Sequence, residues 1–281
     1  MINPLPHTSS DQTTTLSRNA KPLAVRAGLG RRVFGLGICA LGFAFLVWGD
    51  FVAGQSVPND FPHRTALAYT VAAFLLVIGA ALQNRSSAAW AAAALTTYYT
   101  LIVVIVMNAH PFLTHYAEYG TYEGLSEQLA IAAAALMVYA ASAKLNPTTS
   151  ARLTRLGQLV FGLCALIWGG AHFIYMNLTA PLVPTWLPPS QVFWGYVTGV
   201  AFLAAGLAIL TRIQARLAAI LLTAMLGTFT VLVHIRILVA DHRTQFNWTE
   251  LALNVTLLGA AWIVADSFAS PNLSSPQSFD I

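Results

Sequence analysis

Five residues in the second half of the chain place imidazole, guanidinium, carboxylate and amide groups inside otherwise apolar runs: His172, His234, Arg236, Glu250 and Asn254. His172 lies in "GLCALIWGGAHFIYMN", and His234 and Arg236 lie in "VLVHIRILVADH". Glu250 and Asn254 follow Trp248 and stand four residues apart, on one face of a helix. Imidazole beside carboxylate can hold and pass protons. An ionisable group in hydrocarbon is costly, so it faces a partner or a cavity. Three separate segments bring these groups to similar depth, which predicts a shared polar pocket. Within it, Glu250 is expected to pair with Arg236, and His172 or His234 to donate to Glu250 or Asn254. His234 and Arg236 are two apart and do not share a face, so one of them is expected to turn away and snorkel to the interface. The rival reading of the same residues is an interhelical polar clamp that holds no ligand.

No other constellation names a reaction, and the catalytic residues are unassigned. The chain has no Ser-His-Asp arrangement, phosphate loop or dinucleotide fingerprint. "HPFLTHYAEYG" carries His110, His115 and Glu118, but their spacing is not a zinc signature, and no metal is expected. Cys39 and Cys164 sit at matching places without a Cys-x-x-Cys pair, which points to small apolar packing.

The elements that must position these groups follow from composition. Of the 281 residues, 57% are hydrophobic and 9% charged, too little charge for the outer faces of a soluble helical protein. The mean hydropathy is +0.66. Eight apolar runs are long enough to cross a bilayer as helices: 33–52, 66–83, 88–108, 125–143, 156–177, 191–210, 216–239 and 248–267. They are too long, and too free of alternation, for membrane strands. The fold class is therefore an all-α, polytopic membrane protein. With the N-terminus on the cytoplasmic side, 11 of the 14 basic residues fall in cytoplasmic segments, so both termini are expected there, in a bacterial inner membrane. The formal net charge of +4 is spread between apolar runs and forms no nucleic-acid stripe.

The chain repeats itself. Gly37 and Cys39 recur at Gly162 and Cys164, Val57-Pro58 at Val183-Pro184, Arg85 at Arg212, Glu123 at Glu250, and Glu127 falls on Asn254. Each half holds four spans, so two parallel four-helix bundles are expected, 33–145 and 152–268, with a linker at 146–151 and tails at 1–32 and 269–281. Gly35, Gly42, Gly162 and Gly169 are expected to let helices approach closely. The first half carries thinner chemistry and reads mainly as a packing partner, with a shared pocket left open. "NLTAPLVPTWLPPSQ" is uncharged and rich in proline, and reads either as a segment capping the bundle mouth or as a rigid connector.

Residues 162–210 and the "HIR" of the seventh span resemble a DoxX-like membrane protein, a family similar to the small subunit of thiosulfate:quinone oxidoreductase. The resembling positions are His172, Phe173, the loop from Val183 to Pro188, Trp194, Tyr196, Thr198 and Gly199. The resemblance implies a four-helix membrane unit, here in tandem. It also suggests a membrane component of a quinone-linked redox system, with quinone as candidate cofactor and a redox protein as partner. It transfers no catalytic role. The alternatives are a protein that binds or transports a small apolar or lipid-like molecule, and a non-catalytic subunit of a membrane complex. Membrane lipids are expected partners, nucleic acid is not, and the oligomeric state is open.

Overall fold

The computed structural model describes residues 28–51 and 54–269. Most of the expected N-terminal tail and residues 270–281 lie outside that range. Eight helices are long and apolar enough to span a membrane. They are α1 (Leu29–Trp48), α2 (Arg64–Ala81), α3 (Ala88–Met107), α4 (Tyr119–Ser142), α5 (Pro147–Ile174), α6 (Gln191–Thr211), α7 (Ala215–Ala240) and α8 (Gln245–Ser267). There is no strand among the described residues. The segment expected as a linker, 146–151, is instead the first turn of α5. Asn146 caps it by accepting the Thr149 amide at 2.8 Å, and Pro147 takes the first helical position, where its missing N–H is not needed. α4 likewise starts at Tyr119, earlier than its apolar run, and so takes in Glu123.

Depth in the molecule runs opposite to apolarity. α4 and α8 have the lowest mean hydropathy, 1.4 each, and are the most buried spans; α7 has the highest, 2.1, and is the least buried. Lipid selects for uniformly apolar surfaces, so polar and small residues concentrate on helices enclosed by protein. α4 shows this in its run of buried alanines, Ala130 and Ala132–Ala135, which lets neighbours close in.

The helices follow one another around a closed ring, α1 to α8 and back to α1, with α4 and α8 also meeting across the centre. The two halves of the chain meet along extensive contacts: α1 lies along α8, the longest contact in the molecule, and α4 along α5, while α1 and α4 scarcely touch. Glycines set these approaches. At α1–α8, a methyl on Gly37 would overlap Thr256, and one on Gly259 would overlap the backbone of Phe34. At α4–α5, a methyl on Gly157 would sit 2.9 Å from the Ala133 carbonyl. The glycines expected at close contacts work inside the halves: Gly35 and Gly42 against α2, Gly162 and Gly169 against α6.

The halves make matching contacts. Arg31 on α1 donates to the carbonyl of Leu82 past the end of α2, and Arg155 on α5 donates to the carbonyls of Ile209 (3.3 Å) and Leu210 (2.6 Å) near the end of α6. Each arginine satisfies helix-terminal carbonyls that lack intrahelical donors. Both third helices also widen into π-helix, at Tyr98–Met107 in α3 and Thr230–Ile235 in α7. Each added residue per turn rotates the following side chains by about 100° from a straight helix. The near face carries Gly28 and Ser267 together, as an even number of crossings requires; the far face carries the α1–α2, α3–α4, α5–α6 and α7–α8 connections.

Candidate functional site

α4 and α8 begin at the far face, where α5 and α7 end, so residues near those termini meet at one depth. They enclose a cavity of about 200 Å³. α8 contributes Glu250 and Asn254, α5 contributes Trp168 and His172, and α7 contributes His234. α4, from the first half, contributes Glu123 and Glu127. Phe202 and Thr198 of α6 and Phe229 of α7 complete walls that are largely apolar.

Four of the five residues singled out from sequence line this cavity, and Arg236 does not. Its guanidinium donates to the carbonyls of Leu232 (3.3 Å) and Leu182 (3.1 Å) on the exposed side of α7. The expected Glu250–Arg236 pair is therefore absent. Among the described residues the one ion pair joins Arg64 to Asp50, at the far ends of α2 and α1. Arg236 instead anchors the proline-rich connection, in which Thr179, Leu182 and Val183 form part of the cavity wall. Gln191 donates to the Val183 carbonyl, and the Trp194 indole donates to the Pro188 carbonyl at 2.8 Å, so α6 holds the same segment from the other side. This connection covers the cavity and leaves Trp186 outside, 67% exposed.

The imidazoles do not donate to Glu250 or Asn254. His172 turns Nδ1 back to the carbonyl of Trp168 at 2.9 Å. A carbonyl only accepts, which puts a hydrogen on Nδ1 and leaves Nε2 with a lone pair in the neutral ring. The ring lies 5.2 Å from that of Phe202, centroid to centroid. His234 sits within the π-helical turn of α7, which directs it inward while Arg236 faces out.

Asn254 has a structural task. Its amide donates to the Leu226 carbonyl at 3.1 Å and to the Thr230 hydroxyl at 2.6 Å, where α7 passes from α- to π-helix. Asn108 plays a like part in α3, donating to the Val103 carbonyl at 2.7 Å and to Gly54 at 2.9 Å. For Asn254 the clamp reading describes the contacts, although the residue also borders the cavity.

The side-chain carboxylates of Glu123, Glu127 and Glu250 form no hydrogen bond or ion pair with a described residue, and Glu127 stands within electrostatic reach of both others. Trp168 is buried, and its indole N–H has no acceptor. Three carboxylates and two imidazoles thus border one largely apolar space with no Lys or Arg among them. No group of three His, Cys, Asp or Glu among the described residues has the geometry to hold a metal ion, the His110, His115 and Glu118 set included.

The first half holds a much smaller space. A void of about 10 Å³ lies between Leu41 of α1, Tyr99 of α3, Gln128 of α4 and Glu250 of α8. Tyr99, at the place of Leu226 in the repeat register, fills it with a fully buried ring. The first half is therefore more than a packing partner: it lends Glu123 and Glu127 to a cavity otherwise lined by the second half. These two glutamates were missed as site residues, although the register that set Glu123 on Glu250 and Glu127 on Asn254 pointed to them.

A family model described as a domain of unknown function (DUF8561) matches residues 161–265, from within α5 almost to the end of α8. The matched stretch contains Trp168, His172, His234, Glu250 and Asn254 but not Glu123 or Glu127. No match was found among curated proteins or among solved structures.

Proposed function

We propose that this chain is a membrane component of a quinone-linked redox system, and that the far-face cavity holds the quinone head group. One observation carries the reading: proton-accepting groups from four helices border a largely apolar space, and the protein supplies no countercharge. A quinol that is oxidised there loses two electrons and two protons. Nε2 of His172 and the carboxylates of Glu123, Glu127 and Glu250 accept the protons. The electrons pass to a cofactor-bearing partner protein, since redox chemistry of this kind belongs to a cofactor. The walls at Phe202, Phe229 and Leu253 take the ring. The DoxX-like resemblance, the tandem origin of the two halves and a bacterial inner-membrane location with both termini cytoplasmic belong to this proposal.

A second reading takes the same cavity as the site of a small amphipathic amine or lipid-like molecule, bound or carried beneath the proline-rich cover. The three carboxylates without a cation favour it. The two are separated by titrating the protein in nanodiscs with a short-chain benzoquinone and with an alkylamine of equal length. The redox reading requires the quinone to bind, and His172→Gln to weaken it about tenfold, the value of one hydrogen bond. Amine binding that Glu127→Gln abolishes, with no quinone binding, would replace the first reading by the second.

A further inference from the structure

A second cavity, of about 570 Å³, opens on the near face, at the opposite end of the molecule from the carboxylate site. It lies where α1, α4, α5 and α8 end, on the seam between the two halves. Arg31 and Arg85 stand on its wall together with Asp266. Arg31 is 8% exposed, and its bond to the Leu82 carbonyl fixes the guanidinium in place. Among the described residues Asp266 belongs to no ion pair and its buried Oδ2 has no hydrogen-bond donor, although Arg216 lies within electrostatic reach of it. Thr154 adds a hydroxyl, while Met137 and Ile263 give an apolar side.

We propose that this cavity binds a compound bearing both a phosphate and a primary ammonium group, supplied as the head group of an aminophospholipid. Guanidinium groups match phosphate oxygens in geometry and charge. The carboxylate of Asp266 then accepts from the ammonium, which supplies the donor that Oδ2 lacks. A site for phosphate alone would need no acid on its wall, and the acid would repel the anion. The cavity falls at helix ends, the depth of lipid head groups, and in the size range of small-ligand sites. Met137 and Ile263 offer the first acyl carbons an apolar surface.

The test is native mass spectrometry of the full chain released from nanodiscs made with equal amounts of phosphatidylethanolamine and phosphatidylglycerol. The wild-type protein retains phosphatidylethanolamine in preference. Asp266→Asn lowers that preference about tenfold, as expected for one charge-assisted hydrogen bond, and Asp266→Glu restores most of it. Arg85→Gln weakens retention of both lipids together. Soluble phosphoethanolamine, added in excess, displaces the lipid; if it binds while no lipid is retained, the chemistry stands and the source is a soluble compound. An unchanged lipid ratio in a folded Asp266→Asn protein, or a wild type that retains neither lipid and ignores phosphoethanolamine, overturns the proposal.

Discussion

Replacing Asn254 by alanine tests how the cavity's framework is held. Asn254 is 5% exposed and gives α7 two hydrogen bonds, at 3.1 Å to Leu226 and 2.6 Å to Thr230. Side-chain hydrogen bonds between membrane helices contribute about 0.6 kcal/mol on average and up to about 1.7 kcal/mol. Two of them come to roughly 1–3 kcal/mol by that scale. The void left by the shortened side chain, on the order of 30 Å³, adds about 0.7 kcal/mol. Thr230 keeps its own bond to the Leu226 carbonyl at 3.0 Å, so no group on α7 is stranded and the lower part of the range applies. The expected loss is about 2 kcal/mol, or roughly 4–8 °C in Tm for a chain of this size class. Thermal unfolding in detergent reads it. A double-mutant cycle with Thr230→Val isolates the pair and should give a coupling of about 0.6 kcal/mol or more. A loss below about 0.5 kcal/mol, or a cycle with no coupling, would refute the assignment of Asn254 as the clamp on the π-helical turn.

Glu127→Gln removes one of three crowded carboxylates and is expected to raise Tm by a few degrees while weakening ligand binding, the trade-off of a strained site; a fall in Tm on thermal unfolding would contradict it. Gly259→Leu drives a side chain into the Phe34 backbone, so α1 and α8 must part; cysteine crosslinking between α1 and α8 should fall sharply, whereas Gly227→Leu, with only Leu258 nearby, should leave it intact. In the α7–α8 connection, the Thr244 hydroxyl and the Arg243 amide hold the Asp241 carboxyl below the usual carboxylate range. Its folded value is depressed, so its ordering of this turn is present above the unfolded value and is lost as pH falls through the folded one. Hydrogen exchange at Arg243 should then rise only at acid pH, and Asp241→Asn should abolish the dependence.

The eight crossings are legible because lipid imposes long apolar runs, and every expected span overlaps a helix. Helix ends were less so. Nothing in hydropathy reports that Pro147 opens α5 or that α4 extends back to Tyr119, because polar caps and first turns lie outside the apolar run. Helix pairing was not read at all. Lipid-facing helices lack the polar face that reveals orientation in soluble proteins. The site was legible where costly groups betray shelter, as at His172 and Glu250. The expected Glu250–Arg236 pair failed because Arg236 is the one of the His234–Arg236 couple that turns away, its long side chain reaching a carbonyl outside the cavity, and the π-helical turn of α7 breaks the register on which face arguments depend. Glu123 and Glu127 were set aside because the first half was read mainly as a packing partner with thinner chemistry, a shared pocket being left open; α4 lies along α5 and against α8.

The central claim is that acids and imidazoles from both halves shelter around one ligand-holding space on the far face. The most direct test is a high-resolution electron cryo-microscopy map of the full chain extracted with its native lipids. The account predicts non-protein density bounded by His172, His234, Glu127 and Glu250 beneath the Leu182–Val183 cover. A map with these four side chains directed apart into lipid or bulk solvent, and with no enclosed space between them, would contradict it.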